Sequence, residues 1–209
     1  MPKSIHVNIL INIKTAKLMS LIQITPYNPN WPNEYQTIAK QLRSLLDKIA
    51  LRIDHIGSTS IDALAAKDVI DIQISVDDVS NTAIEQKLTS VGFVFRDEAI
   101  CDNLVGLDAD SIELKKKFFQ QAVGQRRVHI HVRQIGRINQ EYPLLFRDYL
   151  RSDVHTKRAY AQIKIELAKH FSNDANAYYA IKDPYMDTVY AAAKLWAKQT
   201  NWQQDTDFN

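Results

Sequence analysis

The stretch VIDIQISV, residues 69–76, constrains the fold more than any other part of the chain. Side chains alternate sides along a strand, so Val69, Asp71, Gln73 and Ser75 share one face and Ile70, Ile72, Ile74 and Val76 the other. Such a strand requires a sheet with one apolar face, covered by helices, and one polar face. Asp is depleted in strands, so a carboxylate held there needs a partner. RRVHIHVRQ, residues 126–134, splits the same way, with Arg127, His129, His131 and Arg133 opposite Val128, Ile130 and Val132. If the two strands are near each other in one sheet, their polar faces line an open cleft. It would carry a carboxylate, an amide, two imidazoles and two guanidinium groups, a composition suited to a phosphorylated ligand with a metal. The plainer alternative is a solvated antiparallel face with no further role.

The rest of the chain supplies what that sheet needs. LIQIT, 21–25, reads as a short strand ended by the three prolines of PYNPNWPNE, with a helix beginning near Trp31. In NEYQTIAKQLRSLLDKI, apolar residues from Tyr35 to Ile49 recur at three and four residues, one buried helical stripe. LRIDHI reads as a strand, IDALAAK as a short helical segment and NTAIEQKLTSVG as a helix closed by Gly92, while FVFR and KKKFFQQA read as further strands. After Gly136 the pattern is helical to about residue 198, punctuated at SDVH, SNDA and DP, and the polar end KQTNWQQDTDFN is expected to fray. His55 reads as a satisfied, partly buried histidine, and Trp31, Trp196 and Trp202 as packing or terminal residues.

Charge excludes little. With 26 Lys and Arg against 24 Asp and Glu the net charge is +2, so nothing calls for a nucleic acid or an anionic membrane as partner. A single cysteine, Cys101, excludes an internal disulfide and a cysteine zinc cluster, which suits the cytoplasm. No window approaches the roughly 18 consecutive apolar residues of a membrane span. MPKSIHVNILINIKTAKLMS makes a poor signal peptide; residues 1–18 read either as an extension ahead of a domain that begins near Met19 or as an added edge strand.

PYNPNWPNEY, HIGSTSIDALAAKDVIDIQISV, HIHV, FRDYLR and AYAQIKIELA occur in the order and spacing of the GrpB family, which the chain resembles over roughly residues 22 to 195. The resemblance implies an α+β fold: a nucleotidyltransferase-like, polymerase-β-like mixed sheet with helices on one face over 19–136, followed by a helical part over 137–209. In some relatives the domain is fused to dephospho-CoA kinase. The wider superfamily has a Gly-Ser turn, then an acid-apolar-acid strand, and a third acid on a later strand. Gly57 and Ser58 match the turn and Asp71 the first acid, but Gln73 stands at the second, and His129 and His131 stand where a later carboxylate is looked for. Two-metal phosphoryl chemistry needs anionic oxygens, and histidine favours Zn, Ni, Cu or Fe over Mg.

The resemblance then distributes roles. Asp71, with Gln73, would hold Mg²⁺, and His129 or His131 would orient groups or act as base, moving a nucleotidyl group from a nucleoside triphosphate by in-line displacement. Gly57 would allow close backbone approach, and Ser58 and Thr59 would cradle a phosphate. Lys67, Arg127, Arg147, Lys164 and Lys182 would supply a basic rim, although Arg and Lys at such spacings are also what a solvated helix face carries. The alternative is a catalytically silent module that binds a nucleotide or CoA-like molecule, or a partner protein such as dephospho-CoA kinase.

Overall fold

The computed structural model describes residues 21–204, so the N-terminal stretch, whether extension or edge strand, lies outside them. Five strands form one mixed sheet: β1 (Arg52–Ile56), β2 (Ile70–Val76), β3 (Val94–Phe95), β4 (Lys116–Gln120) and β5 (Val128–Gln134), in the order β1-β2-β5-β4-β3. Only β2 and β5 are parallel. Their register places Asp71 beside His129, Gln73 beside His131 and Ser75 beside Arg133, so the two alternations run in phase.

The apolar face is covered by α1 (Trp31–Leu46) and α2 (Thr82–Ser90). Trp31, Leu42, Leu46, Ile84 and Leu88 pack on Ile70, Ile72, Ile74, Val76, Val128, Ile130 and Val132 in one buried cluster. Burying each such side chain contributes about 1.5–3 kcal/mol. A one-residue slip of β2 would turn Ile70, Ile72, Ile74 and Val76 out of this cluster and bring Asp71, Gln73 and Ser75 towards it, so the register is strongly held. Trp31 is itself a core residue, and its indole N–H donates to Asp68 Oδ1 at 2.7 Å.

Three helices follow the sheet: α3 (Ile138–Ser152), α4 (Val154–His170) and α5 (Ala175–Thr200). Asp153 and Asp174 cap α4 and α5 by accepting from Thr156 and Ala177, so SDVH and SNDA do punctuate the chain. DP does not, because α5 runs through Pro184. The proline forfeits a backbone N–H, but contacts with α3 hold the helix: Tyr142 stacks on Tyr190 at 4.1 Å and donates to Asp187 Oδ1 at 3.0 Å.

Local readings differ in three further places. LIQIT is no strand; Thr25 alone bridges to Ala66. IDALAAK is not helical, and Ala63 sits at φ +57° in a tight turn. The turn drives Ile61 and Leu64 into a second apolar cluster with Phe146, Leu150, Tyr160 and Val189, so the segment plugs the space between sheet and C-terminal helices. The C-terminal end is tied down as far as it is described, with Trp202 Nε1 donating to Asp148 Oδ2 at 3.1 Å and Gln140 Nε2 to Gln204 Oε1 at 3.1 Å.

Candidate functional site

The polar face is not open along its length, because α3 crosses it. Gln73 and Ser75 are fully buried. Gln73 Nε2 donates to the Gln140 carbonyl at 2.9 Å, and its Oε1 accepts from Arg133 Nη1 at 2.8 Å. Arg133 continues into Asp102, donating from Nε at 2.8 Å and Nη2 at 3.0 Å, and Asp102 also accepts from Lys116 Nζ at 2.6 Å and Asn139 Nδ2 at 3.1 Å. Burial opposes ionisation of Asp102, but Arg133 and Lys116 outweigh it and hold the carboxyl well below the usual carboxylate range. Gln73 as a metal ligand is therefore corrected: the residue is fully buried and its only ligating oxygen is committed to Arg133.

The remainder of the face opens into a cleft of about 690 Å³, roofed by α3, α4 and α5. Asp71, His129 and His131 lie in its floor, half-buried. Asp71 Oδ1 is 3.4 Å from His129 Nδ1 and 3.9 Å from His131 Nε2. Burial opposes the Asp71 charge, yet hydrogen bonding from the two imidazoles prevails and keeps its carboxyl far below the ordinary range. His131 is pushed down to about 4 by burial, reinforced by Arg133 and opposed by Asp71, so at neutral pH it is a neutral imidazole. These three are the residues among those described whose ligand atoms converge as a metal site would need, all within 4.8 Å.

The turn before β2 serves this floor. Gly57 has φ +68°, and a Cβ on it would lie 2.4 Å from Asp71 Oδ2. Its missing side chain makes room for that carboxylate, a role distinct from the expected approach to a phosphate. Ser58 Oγ accepts from Lys164 Nζ at 2.9 Å. Thr59 is used by the fold: its hydroxyl donates to the Val69 carbonyl at 3.0 Å and lies 3.1 Å from His55 Nε2. His55 is buried, stacked on Tyr35 at 4.6 Å, and held neutral by burial, which lowers its pKa to about 3.

The basic rim divides. Lys164 is 2% exposed and also donates to the Ala65 carbonyl at 2.6 Å. Burial, with Lys182 and Lys67 adding repulsion, lowers its pKa to about 7 against the pull of Asp71. Lys67 donates to the Tyr179 hydroxyl and lies 4.7 Å over that ring. Lys182 is paired with Asp183 Oδ1 at 2.6 Å. Arg147 lines the cleft but is spent on the fold, donating to the His55 carbonyl at 3.0 Å and to Asp148 Oδ1 at 2.7 Å. Arg127 is exposed and lines no part of the cleft, a correction to its place in the rim. Being outside the paired register, it follows its turn rather than the strand alternation.

Sequence reasoning missed Asp102, Lys116, Gln120, Phe118 and Asn139, all of which line the cleft. Asp102 comes from an irregular loop outside the regular strands, beside the isolated Cys101–Lys115 bridge, so no periodicity marks it. Asn139 at the start of α3 gives its amide N–H groups to Asp102 and the Lys115 carbonyl, while its buried Oδ1 has no hydrogen-bond partner among the described residues.

Together these features define a class of protein: a small α+β domain in which C-terminal helices roof part of a sheet's polar face, enclosing an acid, two imidazoles and a cluster of lysines. The chain belongs to the GrpB family, whose model, described as GrpB protein, matches residues 21–192. The structure is similar to that of the conserved protein GrpB from Enterococcus faecalis, with a TM-score of 0.68 and 26% identity over 83% of this chain and 99% of that one. In sequence it is 32% identical to a dephospho-CoA kinase of Mycolicibacterium paratuberculosis over 92% of this chain and 51% of that protein. It is 29% identical to the UPF0157 protein YqkA of Bacillus subtilis, covering 86% of this chain and 49% of that protein. The chain thus spans about half the length of these curated relatives. Among the described residues no helix is long and apolar enough to cross a membrane.

Proposed function

We propose that the chain is a cytoplasmic, nucleotidyltransferase-like nucleotide-binding protein whose cleft takes a nucleoside triphosphate or a CoA-like nucleotide by its phosphates. The observation that carries this is Lys164, a buried amine with no carboxylate partner among the described residues, donating to Ser58 beside Lys67 and Lys182. A buried cation without a counter-charge is costly, and a polyphosphate supplies that charge. Ser58 and Lys164 would hold one phosphate, Lys67 and Lys182 a neighbouring one, and the exposed ring of Tyr179 offers stacking surface. Asp71, His129 and His131 line the same cleft, where the strongly lowered pKa of Asp71 makes it a fixed negative charge rather than a proton acceptor.

Nucleotidyl transfer by in-line displacement is the finer form of this reading. Its usual Mg²⁺ pair does not fit the donors present: two Mg²⁺ ions about 3.5–4 Å apart need several carboxylate oxygens, and of the acids lining the cleft among the described residues, Asp102 is bound to Arg133 and Lys116, Asp183 to Lys182 and Asp187 to Tyr142 and the Val105 N–H, which leaves Asp71. That shortage favours the second reading, a silent binding module. Relatives named dephospho-CoA kinase, in which the matching stretch makes up about half the protein, point to such a kinase as the partner of the module.

Isothermal titration of ATP, CTP and CoA into wild type and Lys164→Met tests the core of the proposal. Binding by wild type that weakens at least tenfold in the variant is expected; no binding of any phosphorylated nucleotide would refute it. Release of pyrophosphate on incubation with a triphosphate and acceptor mixture separates the transferase from the silent module.

A further inference from the structure

We propose that Asp71, His129 and His131 form a mononuclear site for a borderline divalent transition-metal ion of the Zn²⁺ type, rather than for Mg²⁺. The inference builds on the reading of this cleft as a binding site but needs no nucleotide. Donor chemistry makes the choice: imidazole nitrogens suit zinc and its neighbours, whereas Mg²⁺ prefers an all-oxygen shell. Two imidazoles and one carboxylate leave further coordination positions facing the cleft for water or a ligand oxygen.

The framework is rigid. Asp71 and His129 are register partners on the parallel strands β2 and β5, and His131 is the next residue on the same face of β5. Donors about 2.0–2.2 Å from one ion lie roughly 3.3 Å apart in a tetrahedral shell. The separations of 3.4 Å and 3.9 Å from Asp71 Oδ1 are close to that, and the widest, within 4.8 Å, closes by a swing of the imidazole rings.

Outer partners address the remaining ring nitrogens. The Gln120 side-chain amide lies 3.1 Å from His129 Nε2. With its carbonyl turned to the ring it accepts the Nε2 proton and leaves the Nδ1 lone pair for the ion. His131 Nδ1 lies 3.4 Å from Arg133 Nη2. Without metal, that N–H faces the Nδ1 lone pair and the imidazole proton sits on Nε2, towards Asp71. On binding, the ion takes the Nε2 position, the proton moves to Nδ1, and Arg133 gives up one long contact while keeping Asp102 and Gln73. This opposition, with Lys116 nearby, limits affinity without blocking the site, because Asp102 neutralises much of both cations.

The test is titration of chelator-stripped full chain with Zn²⁺, Co²⁺ and Mg²⁺, by calorimetry and, for Co²⁺, by visible absorption. One Zn²⁺ per chain is expected, with Mg²⁺ at least a hundredfold weaker, and His129→Ala and His131→Ala each lowering Zn²⁺ affinity at least tenfold with unchanged circular dichroism. Equal affinities for Zn²⁺ and Mg²⁺, or Zn²⁺ binding unchanged in both variants, would overturn the proposal. Should one variant fail to fold, the Co²⁺ spectrum of the other decides. ATP titrated into the stripped protein keeps the readings apart: ATP binding without Zn²⁺ binding sinks the metal site alone, and Zn²⁺ binding without ATP binding sinks the nucleotide reading alone.

Discussion

Replacing Lys164 by Met gives a pH-dependent stability change whose sign and size follow from burial. The amine has a pKa of about 7 in the folded protein, against an ordinary lysine value of 10.5 that the unfolded chain regains. Between those values the unfolded chain binds a proton that the folded chain does not, so wild-type stability rises with pH. The penalty for burying the cation is fully present below about pH 7 and is relieved towards pH 10.5. Integrated from pH 7 to pH 9, the gain is about 2 kcal/mol. Methionine is also unbranched, though one atom shorter, and has no titrating proton, so Lys164→Met lacks this gain while the other titrating groups largely cancel between the two proteins. At pH 7 the variant loses hydrogen bonds to Ser58 and Ala65, costing about 1–3 kcal/mol, and escapes a desolvation cost of similar size, so the net change there is small. Urea unfolding of both proteins at pH 7 and pH 9, without ligand, measures the difference. Stability of wild type minus variant should rise by about 2 kcal/mol over that interval; a flat difference would show that Lys164 is not a desolvated amine and remove the main support for a phosphate at that position.

Gly57→Ala should cost about 2–5 kcal/mol, combining a left-handed φ with overlap on the Asp71 carboxylate, and urea midpoints would read it. Gln73→Glu should destabilise by about 1–3 kcal/mol whether or not Mg²⁺ is present, because the amide donor to the Gln140 carbonyl is lost at a fully buried position; melting temperatures in chelator and in millimolar Mg²⁺ would check it. Asp102→Asn should cost about 3–5 kcal/mol at pH 7 by leaving Arg133 and Lys116 without their counter-charge. Its folded-state pKa is depressed, so the stability it contributes is present above the ordinary carboxylate range and lost as pH falls below it; wild type and variant should converge in acid unfolding curves.

Where side-chain alternation governs, the sequence could be read. The in-phase faces of β2 and β5, the apolar stripe of α1 and the punctuation at Asp153 and Asp174 all follow from periodicity or from capping chemistry, which act within a few residues. The failures are places where distant packing overrides local preference. IDALAAK has helix-forming alanines, yet burial of Ile61 and Leu64 against Phe146 and Leu150 imposes a turn with Ala63 at φ +57°. Pro184 is a helix breaker by its own chemistry, but α5 is carried through it by contacts with α3.

The candidate site divides along the same line. Asp71, His129 and His131 could be brought together from strand patterns alone, since parallel neighbours in register fix which residues meet. What those patterns cannot contain is the position of α3, which turns one polar sheet face into two environments. Under α3, Gln73 and Ser75 are shut in and bonded to Gln140 and Arg133, while Asp102 comes from a loop to the edge of the cleft and balances Arg133 and Lys116. Beyond α3, the same face stays open to ligands, and α4 brings Lys164 to Ser58 across 106 residues of sequence. An amide at position 73 therefore has a physical reason: the site is fully buried, a carboxylate there would face the Gln140 carbonyl, and an amide donates to that carbonyl while accepting from Arg133. The amide at 73 serves the closure of the roof, and this leaves Asp71 with imidazoles rather than carboxylates as its neighbours in the open half.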